Sequence, residues 1–166
     1  DEWFSHLIGK EFPVTNYIRK KDEIEFTPLP DLFHEYFGHM PQMMVPRVAE
    51  LEYAFAELFQ EAPDNLKEQV FALSWYSIEY GLVKENNRLR VFGAGLLSSH
   101  GDLFRVSQPK QKWDFVVENA TLECIIHTAP SPHQPHKKFF TFESIEQMFD
   151  LINEFRTKYL IGTTNQ

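Results

Sequence analysis

The sequence contains a single cysteine, Cys124, in 166 residues. An internal disulfide is therefore excluded, which suits a reducing cytoplasm, and Cys124 is expected to be a small buried apolar residue. Basic charge is scarce as well: 16 Lys and Arg against 24 Asp and Glu leave a net charge of −8. This argues against nucleic acid as the main partner, because phosphate binding needs clustered cations. The one basic cluster, Arg19-Lys20-Lys21, is followed at once by acids and reads as a solvated turn, with Arg19 alone left open for a role. No apolar run approaches the roughly 18 residues of a membrane span, and no basic segment followed by an apolar one opens the chain. A soluble cytoplasmic protein is expected. Internal repeats, linkers and highly charged tracts are also lacking, so residues 1–166 are read as one domain. What is abundant is apolar and aromatic: 43% hydrophobic residues, with 16 phenylalanines, promise an aromatic-rich core.

The patterning predicts a mainly helical fold with a few short strands. Residues 1–30 carry Gly9, Pro13, Pro28 and Pro30 and read as turns and extended segments. Asp31 is placed to cap a short helix from Leu32 to Gly38, which Pro41 would end. From Pro46 to about Ala62, apolar residues recur at helical spacing with Glu50, Glu52, Glu57 and Glu61 between them. A second helix, Leu66 to about Glu85, is too apolar for a surface. Asn86-Asn87 makes a turn into a strand from Leu89 to Phe92, and His100 to Val106 is helical. Cys124–His127 and Lys138–Phe142 read as strands, and Ser144 with Gln147 forms a capping box that opens a final amphipathic helix.

His34-Glu35-Tyr36-Phe37-Gly38-His39 places two imidazoles five residues apart. On a regular helix that spacing turns the second ring about 140° away from the first. Both reach one metal only if the helix breaks, for which Gly38 and Pro41 are suited. Glu79, a lone carboxylate in an apolar helix, is the candidate third ligand, with a salt-bridged acid as the equal alternative. Two imidazoles and one carboxylate on one face leave positions for O₂ and water, the arrangement of non-haem iron(II) oxygenases. His6, His100, His127, His133 and His136 read as solvent-facing residues.

Three blocks carry a family resemblance. Thr27 to Pro41 fits T-P-x-P-D-x-x-H-E-x-x-G-H-x-P, Trp75 to Gly81 follows, and Gly93-Ala94-Gly95-Leu96-Leu97-Ser98-Ser99 comes third, in matching order and spacing. The chain resembles the pterin-dependent aromatic amino acid hydroxylases. The resemblance implies a helical catalytic domain around a buried iron site, with Fe(II) and tetrahydrobiopterin or another tetrahydropterin as cofactors and O₂ as co-substrate. It implies His34, His39 and Glu79 as iron ligands, and Arg19 on the amino-acid carboxylate, held by Asp31. Thr27, Gly95 and Ser98 would line the amino-acid end of the pocket, and Trp75 its aromatic floor. Glu35 would reach the pterin through water, with Trp3 and Phe4 stacked on its ring; no acid or base beyond the iron centre is implied.

Some positions depart from the family. Ser74 stands where a tyrosine is common, Asp102 replaces a glutamate, residues 109–136 match poorly, and the family's stretch upstream of Trp3 is not found. The chain is therefore expected to lack the N-terminal part of the family domain.

Phenylalanine, converted to tyrosine, is the favoured substrate, because Trp75 occupies a position where tryptophan hydroxylases tend to carry phenylalanine. Thr141, near a position tied to ring specificity, gives no vote, and tyrosine or tryptophan remain alternatives. A second reading is a truncated relative that binds iron or an aromatic amino acid without turnover. A zinc hydrolase is disfavoured by the His34/His39 spacing and the third block. The expected partner is a small aromatic amino acid, with the protein acting as a monomer.

Overall fold

A computed structural model describes residues 2–25, 30–131 and 134–162. Helix α1 (Glu2–Ile8) begins the chain and packs on α3 (Pro46–Glu61). Proline rules out little here, since Pro13 lies beyond α1 and Phe4 and Leu7 supply an apolar face. Between these helices a π-helix (His34–His39) runs into the short α2 (Met40–Met43). Pro41 falls in the first turn of α2, where a missing N–H costs nothing, so the helix continues where the sequence suggested an end.

Helix α4 (Lys67–Ser74) passes into a second π-helix (Trp75–Glu79), and the helical run stops there rather than at Glu85. Leu82–Glu85 is instead strand β1, paired antiparallel with β2 (Arg88–Val91) through the Asn86-Asn87 turn. Both asparagines have positive φ, 50° and 61°, as such two-residue hairpins require. After α5 (Ala94–Ser98) and α6 (His100–Ser107), strand β3 (Val116–Asn119) joins the sheet; its half-exposed edge carries no alternation strong enough to reveal it. Cys124 lies in a helix, α7 (Leu122–Ile126), capped by Thr121, not in a strand, and its thiol is exposed. The sheet order is β2-β1-β4-β3, with β4 (Lys138–Phe142) parallel to both neighbours. Such an interior parallel strand is covered on both faces. Phe140 and Phe142 enter the main core, and Phe139 enters a smaller one with Leu82, Leu96 and Phe115.

Helix α8 (Ile145–Phe155) closes the main core with Met148, Leu151, Ile152 and Phe155. Ser144 caps it by accepting from the Gln147 N–H, while Gln147 returns a bond to the N–H of Glu143, one residue earlier than a regular capping box. The expectation of a mainly helical protein with a few short strands matches this architecture. No helix among the described residues is long and apolar enough to cross a membrane.

Candidate metal centre

Both segments that carry the candidate ligands are π-helical, and this resolves the spacing problem without a break. Hydrogen bonds in a π-helix run from residue i to i+5, so side chains five apart share a face. The rings of His34 and His39 accordingly lie 4.7 Å apart, almost perpendicular. Gly38 serves another purpose than unwinding. Its φ is not positive, but a Cβ there would stand 2.7 Å from the carbonyl oxygen of Ala94. Gly38 therefore lets α5 lie directly against the π-helix.

That close approach delivers two supports. The Ser98 hydroxyl donates to Ala94 O at 2.8 Å and receives His34 Nδ1–H at 2.9 Å. The Gly95 N–H bonds the carboxylate of Glu79. Gly95 is itself covered by the ring of Tyr80, within 2.8 Å of where a Cβ would be. On the other side, His39 Nδ1 faces Glu52 Oε1 at 3.2 Å, both side chains fully buried. With each Nδ1 engaged, both Nε2 atoms point at Glu79: His39 Nε2 is 3.0 Å from Oε1 and His34 Nε2 is 3.7 Å from Oε2.

These donors fit a metal. His39 Nε2 is buried without an aligned hydrogen bond, and three nitrogen and oxygen donors converge on one point. Burial raises the Glu79 carboxyl, but His39 and His34 outweigh it and hold it down to about 2. Burial also pulls His39 down, and Glu79 and Glu52 more than reverse this. The site favours one positive charge between His39 and Glu79, which a proton or a metal cation can supply. Glu35 also lies within reach of His34 and His39, all three donor atoms falling within 4.8 Å. Glu79 is the better-placed candidate for a third ligand, because its two oxygens approach both Nε2 atoms, while burial pushes Glu35 up to about 7 and favours its neutral form.

A pocket of about 280 Å³ opens on this centre, lined by Trp3, Phe4, Glu35, Phe71, Ser74 and Trp75 among others. Trp3 packs against His39 at 4.8 Å; Phe4 is buried and stacked on Phe59 at 4.4 Å. Arg19 is no surface turn. Its Nε and Nη2 donate to Asp31 at 2.8 and 2.6 Å and Nη1 to the Ser98 carbonyl at 2.8 Å, which engages three of five guanidinium N–H groups. Asp31 also caps the helix by accepting from the His34 N–H at 3.0 Å. Burial alone would raise Asp31, but the Arg19 side chain and these N–H groups bring it to about 2. Thr27 and His133 lie outside the described residues.

Two parts of the site were not anticipated. Glu52 was assigned to the polar face of its helix, although it falls four residues after Val48 and three before Phe55, on the apolar stripe. That placement was the available signal. His136, expected in solvent, is 1% exposed and bonds Asp102 and Trp75. The proline-rich loop around it masks this, because its burial depends on distant partners. Thr141 is buried on β4, and its hydroxyl has no hydrogen-bond partner.

Residues 2–161 match the family model described as biopterin-dependent aromatic amino acid hydroxylase. The phenylalanine-4-hydroxylase of Mesorhizobium japonicum is 30% identical over 154 residues, covering 89% of this chain and 54% of that protein. That of Vibrio cholerae is 32% identical over 108 residues, 65% of this chain and 37% of the other. The crystal structure of Chromobacterium violaceum phenylalanine hydroxylase, with bound iron(III) and 7,8-dihydrobiopterin, superposes with a TM-score of 0.83 at 28% identity, over 99% of this chain and 58% of that one. The chain thus spans about half the length, or less, of the curated relatives it matches. Fold, motif order and match extent agree, and the chain belongs to the family of biopterin-dependent aromatic amino acid hydroxylases.

Proposed function

We infer that this chain forms a single catalytic domain that holds one iron(II) through His34, His39 and Glu79 and hydroxylates the ring of an aromatic amino acid, phenylalanine first. The observation that carries this reading is the convergence of two Nε2 atoms, each with its Nδ1 engaged, on one carboxylate. The names of the relatives favour phenylalanine. Iron(II) with a tetrahydropterin would supply the activation of O₂.

The chain's own residues bind, orient and exclude water. Arg19, braced by Asp31 and the Ser98 carbonyl, presents its remaining N–H groups to the amino-acid carboxylate. Trp75 and Phe71, 5.5 Å apart, receive the substrate ring, and Gly95 and Ser98, the latter lining a separate cavity together with Arg19, shape the amino-acid end. Glu35 and the indole of Trp3 face the pterin side, with Phe4 behind them as packing. Such apolar walls keep bulk water from the reacting atoms. We place the protein in the cytoplasm as a monomer, where iron(II) and the exposed thiol of Cys124 stay reduced.

The test is anaerobic iron loading followed by O₂, tetrahydropterin and each of phenylalanine, tyrosine and tryptophan. Pterin-dependent formation of tyrosine from phenylalanine is expected. Iron binding with no hydroxylated product would instead favour a chain that binds without turnover.

A further inference from the structure

His136 does not line the pocket; it lies behind Trp75, which does. Its ring is held on three sides. Nδ1 is 3.1 Å from Asp102 Oδ2, Nε2 is 3.0 Å from the Trp75 indole nitrogen, and the ring of Tyr80 lies tilted against it with centroids 3.8 Å apart. An indole N–H can only donate. Nε2 is therefore the acceptor, Nδ1 carries the proton and donates to Asp102, and the imidazole is neutral. Arg105 completes the arrangement by donating to Asp102 and, at 2.8 Å, to the backbone carbonyl of His136. The result is an Arg105–Asp102–His136–Trp75 chain in which Asp102 and His136 are almost wholly buried and hydrogen-bonded.

The consequence falls on the pocket. The one polar atom of Trp75 is turned away and satisfied, so the wall offers only carbon to a substrate ring. Without an acceptor behind it, the N–H would have to find a partner elsewhere, and the pocket is the nearest space. We propose that His136 is a positioning and specificity-determining residue that locks the Trp75 indole and so favours an unsubstituted phenyl ring over a hydroxylated one. The proposal rests on the reading of this pocket as the site for an aromatic amino acid.

Two substitutions separate the halves of the network. His136→Gln can place an amide oxygen near the position of Nε2 and keep the acceptor for Trp75. His136→Asn can donate to Asp102 but is too short to reach the indole. The iron(II)-loaded chain and both variants would be titrated calorimetrically with phenylalanine and tyrosine, and the indole N–H of Trp75 followed by nuclear magnetic resonance. The indole N–H of Trp113, bonded to the Gln108 carbonyl, is the internal control. In His136→Asn, the Trp75 N–H should lose protection from solvent exchange, and the preference for phenylalanine over tyrosine should fall about three- to tenfold. His136→Gln should retain both properties. Should the Asn variant keep the parent's preference while still binding amino acids, the positioning role is wrong. Failure of the parent itself to bind either amino acid would overturn the reading of the pocket and this proposal with it.

Discussion

Glu52 is the sharpest place to perturb the centre without touching a ligand. Its Oε1 is 3.2 Å from His39 Nδ1, both groups are inaccessible to water, and its Oε2 has no hydrogen-bond partner. Glu52→Ala leaves the His39 Nδ1–H buried and unpaired, at a cost of about 1–3 kcal/mol. It also frees the ring to rotate its Nε2 away from the metal. Loss of such outer partners typically weakens metal affinity by about 10- to 100-fold, equivalent to about 1.4–2.7 kcal/mol, so the two magnitudes agree. Glu52→Gln keeps an acceptor oxygen but not the negative charge, and should fall between parent and Ala. The apo protein need not lose stability with Gln, because a buried carboxylate with an unpaired oxygen is expensive to keep. The assay is competitive titration with iron(II) or cobalt(II) against a chelator, with thermal melts of the apo forms alongside. Wild-type affinity in Glu52→Ala would refute the reasoning.

Three further perturbations test other parts of the account. Arg19→Ala should weaken phenylalanine binding about ten- to a hundredfold with iron content unchanged, and Arg19→Lys should rescue poorly, because an ammonium cannot bridge Asp31, Ser98 and a substrate carboxylate together. Gly38→Ala must push α5 from the π-helix to relieve a 2.7 Å contact, which should cost about 1–3 kcal/mol in a denaturant melt and lower metal affinity through Ser98 and Gly95. Asp31, held at about 2 when folded against an ordinary carboxylate value, stabilises the fold at neutral pH and loses that contribution as pH falls from about 4 toward 2. Melting temperature should therefore drop more steeply over that window in the parent than in Asp31→Asn.

Much of this could be read from the chain before its fold was known. The helices from Pro46 and Ser144, the Asn86-Asn87 turn with the strand that follows it, and the strand at Lys138 follow from local periodicity and caps, whereas the strand before that turn was read as helix. His34, His39 and Glu79, whose side chains face one another there, were named in advance as candidates, whereas Glu52 was not. The local geometry was not. A five-residue spacing suggested a broken helix because regular helices were assumed, whereas the widened turn of a π-helix brings His34 and His39 together intact. Gly38 looked like a hinge and is a contact, a distinction that depends on Ala94, 56 positions away in the chain. Short elements such as α1, β3 and α7 were missed because tertiary packing, not local preference, decides them. His136 failed as a prediction for the same reason, since Asp102 and Trp75 make it a core residue.

The central claim is that His34, His39 and Glu79 together hold one iron(II). The direct measurement is anaerobic iron titration of the parent and of His34→Ala, His39→Ala, Glu79→Ala and Glu35→Ala, with bound metal counted after gel filtration. The account predicts about one iron per chain in the parent and in Glu35→Ala, and none retained stoichiometrically in the other three. Full iron in Glu79→Ala, or its loss in Glu35→Ala, would show that the carboxylate of the centre has been assigned to the wrong residue.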